Sequence, residues 1–415
     1  MSSSPVSTPP PRSTPGTVSA DVPILVVGGG PAGSVAALLL ARQGWQVELV
    51  DRDFFPRPKA CGECINPAGV LLLEELGLLK EVLASRPSEL SGWDLSTATG
   101  RLAHGFFAQG DRGIGIRRES LDHALILAAE REGVAIREGV SLVDVEPGNE
   151  RRPARVTLRR KGTRGIEYRS ARFLLGADGL QSRVARSLGL VRRHSAPGKA
   201  SLTWRIEGEG PPRDRGRLIL AQGLTVGLAP VDGGGDQSWN ATLVVSHPAT
   251  TPSLRDGGWN QAMEVMNRAQ IPWIKAPEPS QGPWGAGGFH RSVSRVAEGR
   301  AVLIGDAAGY YDPLTGQGIY RALRAGHSLA RHFSAHIPTP GSPHLSAADP
   351  NILESFHHSL TRATRPGTFL QRAIEGVTRH RRLRQAALTG LRVTPGLTSS
   401  LIRLTGNRPT TLLAP

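Results

Sequence analysis

The chain has 415 residues, more than a single ordinary domain needs, and 39% of them are hydrophobic, which is enough for a substantial core. Its 2 cysteines are too few to staple a secreted fold, and no apolar run is long enough for a transmembrane helix. The net charge of +15 raises the question of nucleic-acid binding, and the positions of the basic residues argue against it.

The first 20 residues are rich in Ser, Pro and Thr and contain no apolar core. This composition predicts a disordered leader over residues 1–20 rather than a secretory signal. We therefore expect a cytoplasmic protein.

The basic residues concentrate near the C-terminal end. Residues 361–410 contain 10 Arg, no Lys or Asp and 1 Glu, with apolar residues interleaved. This pattern predicts a basic helical region over residues 350–415. Such a region either makes peripheral contact with an anionic membrane or packs as solvated helices on the catalytic body. No nucleic-acid partner is predicted.

The stretch from Asp21 to Asp53 has the pattern of a strand, a glycine-rich turn, a helix and a second strand. Ile24–Val27 is a short apolar run, Ser34–Gln43 has helical spacing, and Gln46–Val50 leads into Asp51. This order of elements is the context in which a G-x-G-x-x-G turn indicates an adenine dinucleotide site.

Each glycine of that turn has a predicted role. Gly28 allows the tight turn, Gly30 lets the backbone approach a pyrophosphate, and Gly33 allows close packing of the helix. The N-terminus of the helix offers N–H groups to the phosphates. Asp51 is placed to accept a hydrogen bond from a ribose 2′-OH.

Two further stretches follow predicted strands. Asp178-Gly179 comes after an apolar strand and precedes a helix that begins near Ser182-Arg183. Gly305-Asp306 follows the buried strand Ala301–Ile304, and the Asp312–Gly318 loop leads into a helix over Gly318–Phe333. The carboxylate of Asp306 suits a ribityl or ribose hydroxyl. The N-terminus of the last helix can face a ring that carries negative charge, as a reduced flavin does.

Taken together, these motifs resemble those of FAD-dependent oxidoreductases of the p-hydroxybenzoate-hydroxylase-like superfamily, in particular its geranylgeranyl-reductase-like branch. The likeness covers about residues 22–330. The motifs that carry it are Gly28/Gly30/Gly33 with Asp51, Phe55-Pro56-Arg57, Lys59-x-Cys61-Gly62-Glu63, Arg117-Arg118 before Leu121-Asp122, Asp178-Gly179, and Gly305-Asp306 through Asp312-Pro313-Leu314-Thr315-Gly316.

The resemblance implies FAD as cofactor, NAD(P)H as reductant and no separate nicotinamide domain. It places Arg118 on the flavin chain, Asp178 near the pyrophosphate and a reductant groove, and Asp306 on the ribityl chain. The predicted cofactor-binding residues are Gly28, Gly30, Pro31, Ala32, Gly33, Asp51, Arg52, Arg118, Asp178, Gly305, Asp306, Gly316 and Gly318.

The expected fold is α/β, with a Rossmann-like FAD-binding domain built on a parallel sheet and a second, α+β lobe. The FAD-binding domain spans 21–190 and 296–335, with a small inserted sheet near 92–107. Period-two alternation over 191–295 predicts an antiparallel, substrate-binding sheet.

The resemblance has departures that bear on the substrate. Thr225–Pro230 stands where polyprenyl reductases have an aromatic-rich Y-x-W-x-F-P strand, and no W-x-W-x-I-P stretch typical of flavin halogenases is present. A monooxygenase acting on a lipophilic or aromatic small molecule is therefore favoured over a geranylgeranyl-type alkene reductase. A membrane-surface flavin electron carrier without substrate chemistry is the alternative from another class.

Cys61 and Cys64 form a C-x-x-C pair. Two thiols without histidines at ligand spacing cannot make a metal site, so no metal is predicted. A redox-active pair, as in a disulfide reductase, is one alternative. The favoured interpretation makes Cys61 a wall of the flavin pocket and Cys64 a packing residue. No catalytic residue is assigned, and Cys61 and Pro313 are the flavin-proximal candidates.

Overall fold

The computed structural model describes residues 22–98, 102–192, 199–231, 237–246, 254–271, 278–311, 316–337, 353–360, 372, 374–377 and 380–406. The predicted leader (1–20) and the flavin-proximal candidate Pro313 lie outside the described residues.

The described strands are β1 (Val22–Val27), β2 (Val47–Val50), β3 (Cys64–Ile65), β4 (Ser88–Leu90), β5 (Gly92–Thr97), β6 (Leu102–Phe106), β7 (Gly113–Gly115), β8 (Ala135–Arg137), β9 (Val140–Glu146), β10 (Ala154–Arg160), β11 (Glu167–Gly176), β12 (Ala200–Glu207), β13 (Arg215–Leu220), β14 (Leu224–Pro230), β15 (Ser238–Val245), β16 (Glu278–Gly287), β17 (Arg291–Ser292), β18 (Ala297–Glu298), β19 (Ala301–Leu303) and β20 (Gly309–Tyr310). The helices are α1 (Pro31–Arg42), α2 (Pro67–Glu75), α3 (Leu79–Leu83), α4 (Arg118–Arg131), α5 (Arg183–Ser187), α6 (Leu254–Arg268), α7 (Gly318–His336), α8 (353–360), α9 (Arg381–Val393) and α10 (Pro395–Gly406).

The first sheet is built on five parallel strands in the order β19-β11-β1-β2-β8. β18 joins antiparallel to β19, and β10 pairs antiparallel with the first half of β11 and carries β9. The residues Ile24–Val27 are almost completely buried, as expected for a parallel strand covered on both faces. α1 packs against α4 and α7. The predicted α/β fold with a parallel sheet is confirmed.

The second sheet has seven strands in the order β16-β12-β15-β14-β13-β5-β6. Its neighbours are antiparallel except β13 and β5, which run parallel. One face packs under α6, with Trp204, Val226 and Met266 in the same cluster. The other face turns towards the residues that follow the parallel strands.

The sequence placed residues 92–107 in a small sheet inserted into the FAD-binding domain, and this was wrong. β5 pairs with β13 from Gly92↔Arg215 to Thr97↔Leu220, so this hairpin extends the second sheet. The partners are more than a hundred residues apart in the chain, and local periodicity carries no information about such a pairing.

The described part of the basic C-terminal region is helical and packs on the body. Leu388 of α9 and Ile402 of α10 are buried with Leu95 and Phe107. This agrees with the packed-helix interpretation. Among the described residues, no helix has the length and apolarity that crossing a membrane would need.

Candidate active site

The glycine-rich turn lies between the end of β1 and the start of α1. Gly28 has a φ of +109°, and a Cβ there would lie 2.4 Å from the carbonyl oxygen of Ala177. A Cβ at Gly33 would lie 1.9 Å from the carbonyl oxygen of Gly28, so the helix packs on the turn through a glycine. The predicted steric roles of these two glycines are therefore visible in the backbone.

Gly30 differs from those two glycines because it borders open space. The nearest side-chain atom to a Cβ at Gly30 would be Nη2 of Arg118, at 3.9 Å. Gly30 is also the N-cap of α1, and no side chain caps this end of the helix. The first turn of α1 can therefore present its free N–H groups and partial positive charge to an anion.

Asp51 stabilises the turn from the end of β2. Its Oδ2 accepts a hydrogen bond from the N–H of Gly29 at 2.7 Å, and its Oδ1 accepts from the N–H of Asp53 at 2.9 Å. Arg57 approaches Oδ2 at 3.4 Å. Asp51 therefore holds the loop geometry, and its contact with a ribose stays a prediction.

Arg118 opens α4 and lines the cleft. Its Nε and Nη2 donate to the two oxygens of Asp122 at 2.9 and 2.7 Å, and Arg57 donates to the same carboxylate at 3.2 Å. Arg118 is thus fixed by the protein beside the glycine-rich turn, and its contact with the flavin chain stays a prediction.

Glu63 connects the two halves of the molecule. It has a φ of +54°, and its carboxylate accepts from the N–H of Arg118 at 2.8 Å and from Arg205 of β12 at 2.7 and 3.2 Å. Both side chains of the ion pair are almost fully buried. Burial raises the pKa of Glu63, opposed by the charge and hydrogen bonds of Arg205.

The second sheet also grips the backbone of the C-x-x-C segment. Asn240 Nδ2 and Thr242 Oγ1 donate to the carbonyl oxygen of Cys61 at 2.9 and 3.2 Å. Cys61 is half-buried, Cys64 is buried in β3, and both line the cleft. Desolvation raises the pKa of the Cys64 thiol, which disfavours Cys64 as a nucleophile. The pocket-wall role of Cys61 and the packing role of Cys64 stay predictions.

Asp306 lies in a short 3-10 helix (Gly305–Ala308) directly after β19. Its carboxylate lines the cleft and accepts no hydrogen bond from the residues that the structure describes. Burial raises the pKa of Asp306, opposed by the charges of Lys59, Arg321 and Arg118. Lys59 also lines the cleft, and burial together with Arg118 and Arg57 lowers the pKa of its ammonium group.

The cleft lies between these residues and the second sheet. Strand alternation turns Ser201, Thr225 and Thr242 into the cleft, while Leu202, Val226 and Leu243 pack under α6. The sheet wall is otherwise apolar, and the charged lining residues come from the cofactor-side segments.

The remaining predicted residues have varied positions. Asp178 Oδ2 accepts from the N–H groups of Arg183 and Val184 at 2.6 and 3.2 Å, so Asp178 caps α5. Its Oδ1 is buried and has no hydrogen-bond partner within the described ranges.

The side chain of Arg52 is 72% exposed and pairs with Asp53. Pro31, Ala32, Gly316 and Gly318 line the cleft, and a Cβ at Gly305 would lie 2.9 Å from that of Ala32.

Several cleft residues were missed by the sequence interpretation. They include Trp93 and Phe289. Two arginines behind the lining were missed as well: Arg205, which pairs with Glu63, and Arg321, whose charge acts on Asp306. The sequence did contain a signal for Arg205. Ser201, Thr203 and Arg205 are spaced two apart, so they share one face of a strand, and a buried cation on such a face needs an anionic partner. Trp93 had none, because its position depends on the parallel pair of β5 and β13.

The arrangement fits a dinucleotide that carries a second, polar chain. The uncapped helix N-terminus beside Gly30 suits a pyrophosphate, and the carboxylate of Asp306, which accepts no hydrogen bond from the described residues, suits hydroxyl groups. Both features line one cleft.

Comparisons with known proteins agree with this geometry. A family model described as FAD binding domain matches residues 21–359. Menaquinone reductase of Mycolicibacterium smegmatis is 28% identical over 353 residues, covering 80% of this chain and 80% of that protein. Aklavinone 12-hydroxylase of Streptomyces peucetius is 28% identical over 344 residues, covering 76% of this chain and 68% of that protein. A solved flavoprotein/dehydrogenase from Cytophaga hutchinsonii, 20% identical, covers 93% of this chain and 92% of its own with a TM-score of 0.76, which is a likeness of fold.

Proposed function

Because the chain belongs to the FAD binding domain family, within the p-hydroxybenzoate-hydroxylase-like superfamily, and is an FAD-dependent oxidoreductase, we propose that it is a NAD(P)H-dependent monooxygenase. Its proposed substrate is a lipophilic or aromatic small molecule. The observation that carries the proposal is a cleft with a charged cofactor side and an uncharged sheet wall.

Bound FAD would supply the redox chemistry, and the chain supplies binding and orientation. The first turn of α1 with Gly30 would hold the pyrophosphate, and Asp51 a ribose hydroxyl of the adenosine half. Asp306 would accept hydrogen bonds from the ribityl chain. Arg118, already oriented by Asp122, would contact the flavin chain.

The sheet wall would select the substrate by excluding water and charge. Ser201 and Thr225 offer hydroxyl groups, and the surrounding wall is apolar. A dry cleft also limits unproductive loss of reducing equivalents to solvent. A hydroxylase among the relatives supports this choice of reaction.

A flavin-dependent reductase of an unsaturated lipid is the second candidate, supported by the menaquinone reductase relative. A geranylgeranyl-type substrate stays a hypothesis, because Thr225–Pro230 lacks the aromatic strand of polyprenyl reductases. Peripheral membrane contact also stays a proposal. Exposed Leu383 and Val393 on α9, beside exposed Arg382 and Arg392, would supply it.

The test is the fate of NAD(P)H and dioxygen in the purified, FAD-loaded protein. Phenols, polycyclic aromatics and prenyl lipids are added in turn, with NADH and NADPH compared as reductants. A monooxygenase consumes reductant faster when substrate is present, and its product carries one oxygen atom from isotopically labelled dioxygen. A reductase forms its product without dioxygen. A protein that binds no FAD contradicts the proposal.

Membrane contact has a separate test. Sedimentation with anionic and with neutral vesicles compares the wild type with a Leu383→Ser/Val393→Ser variant. Binding that needs anionic lipid and falls in the variant supports contact through α9, and equal sedimentation excludes it.

A further inference from the structure

Trp93 lies flat across a glycine of the neighbouring strand. It is the cross-strand partner of Gly216 in the parallel pair of β5 and β13. A Cβ at Gly216 would lie 2.6 Å from Cζ3 and 2.8 Å from Cη2 of the indole. No residue larger than glycine therefore fits beneath this ring without displacing it.

The edge of the same indole reaches the segment that leads into α7. A Cβ at Gly316 would lie 3.8 Å from Cζ2 of Trp93, which is ordinary van der Waals contact. Gly316 has a φ of +63° and lies two residues before the start of α7. Trp93 thus extends from the second sheet to the third cofactor motif.

The surroundings of Trp93 are apolar on the cleft side. Leu218 and Gly227 line the cleft on the neighbouring strands. The charged residues of the same strands point the other way: Arg217 Nη1 donates to Asp94 at 2.7 Å on the opposite face. The wall around the indole is therefore uncharged.

Covering a sheet glycine with an aromatic ring is also a known way to stabilise a sheet. That role accounts for the indole face that contacts Gly216. The indole also packs against the apolar cluster that contains Leu388 and Ile402. Neither contact buries the ring fully, because Trp93 is half-buried and lines the cleft.

We propose that Trp93 is a specificity-determining residue, and that a planar aromatic ring of the substrate stacks on the part of the indole that lines the cleft. The proposal rests on the proposed function and narrows its substrate class to planar, uncharged ring systems. Offset stacking of two aromatic rings adds affinity beyond the area that they bury. Gly216 sets the depth of the stacking site, because it determines how far the indole recedes from the cleft.

The test uses the FAD-loaded protein and 1,8-dihydroxyanthraquinone, a planar and uncharged probe, with binding followed by the flavin difference spectrum. Trp93→Ala should weaken binding about tenfold, and Trp93→Phe should retain most of the affinity. Gly216→Ala should also weaken binding, because its Cβ pushes the indole into the cleft. Trp259→Phe is the matched control, since this tryptophan lies on α6 and packs against Trp204 on the opposite face of the sheet.

Each outcome supports or overturns the role. Equal affinity of Trp93→Ala and the wild type, or no binding of the probe to the wild type, overturns it. A loss of the same size in Trp259→Phe overturns it too, because the effect would then be loss of sheet stability. FAD content and NAD(P)H oxidation are measured on the same samples, and they separate a failure of this inference from a failure of the proposed function.

Discussion

Replacing Arg205 by methionine should destabilise the protein strongly. The substitution leaves the carboxylate of Glu63 buried with only the N–H of Arg118 as a described partner, at 2.8 Å. Removing one partner of a buried ion pair costs about 3–5 kcal/mol, because the remaining charge is neither solvated nor compensated. The burial of both side chains, at 1% and 2% exposure, places this pair in that class.

The loss of stability caused by Arg205→Met should depend on pH. Burial already raises the pKa of Glu63, and losing the Arg205 charge raises it further. A carboxyl whose pKa is higher in the folded state contributes stability that is complete below its unfolded pKa and is lost as the pH rises through its folded pKa. The free energy of unfolding of the variant should therefore approach that of the wild type at about pH 5 and fall furthest below it at about pH 8.

Urea denaturation at both pH values, followed by tryptophan fluorescence, measures the free energy of unfolding of the variant and of the wild type. Glu63→Gln/Arg205→Met should recover most of the loss, because a neutral amide needs no cation, with a coupling energy of about 1 kcal/mol or more. Strict additivity of the two substitutions, or a deficit independent of pH, would refute the reasoning.

Three further changes test other parts of the site. Gly33→Ala should abolish FAD incorporation, because its Cβ would lie 1.9 Å from the Gly28 carbonyl oxygen, whereas Gly390→Ala has open space and should keep a full flavin-to-protein ratio. Asp306→Asn should weaken FAD binding about tenfold in a fluorescence titration, the worth of one hydrogen bond to a charged group. Hydrogen bonds from neighbouring groups lower the pKa of Glu375 below 4.5 despite burial, so its stabilisation of the C-terminal segment is present above 4.5 and lost as the pH falls through its folded pKa. Glu375→Gln should remove that change. Pepsin cleavage, normalised at each pH to the cleavage of an unfolded substrate, should accelerate below pH 4.5 in the wild type and not in the variant; an equal rise in both would contradict this.

The cofactor half of the molecule was readable from the sequence because its determinants are local. A side chain at Gly28 or Gly33 would collide with backbone that lies a few residues away or on the paired strand. The spacing of these glycines alone therefore predicts the turn. The apolar run Ile24–Val27 reports a buried parallel strand in the same way.

The substrate half could not be read in this way. Gly216 looks like an ordinary glycine in the sequence, and its importance appears only when β5 is placed beside β13. Likewise, Glu63 was noticed as part of a motif, but its partner Arg205 lies 142 residues away. Long-range strand order decides both contacts, and no local period encodes it.

The charges around the cleft are divided in a way that bears on the reaction. Arg118 is paired with Asp122, and Glu63 with Arg205, so these four side chains add little net field. Near Asp306, by contrast, the charges of both Lys59 and Arg321 oppose the rise in its pKa, so two cations act on this one carboxylate among the described residues. The N-terminus of α7 adds a partial positive charge at the same end. This end of the cleft therefore favours negative charge, which is the charge that a reduced flavin ring would bring.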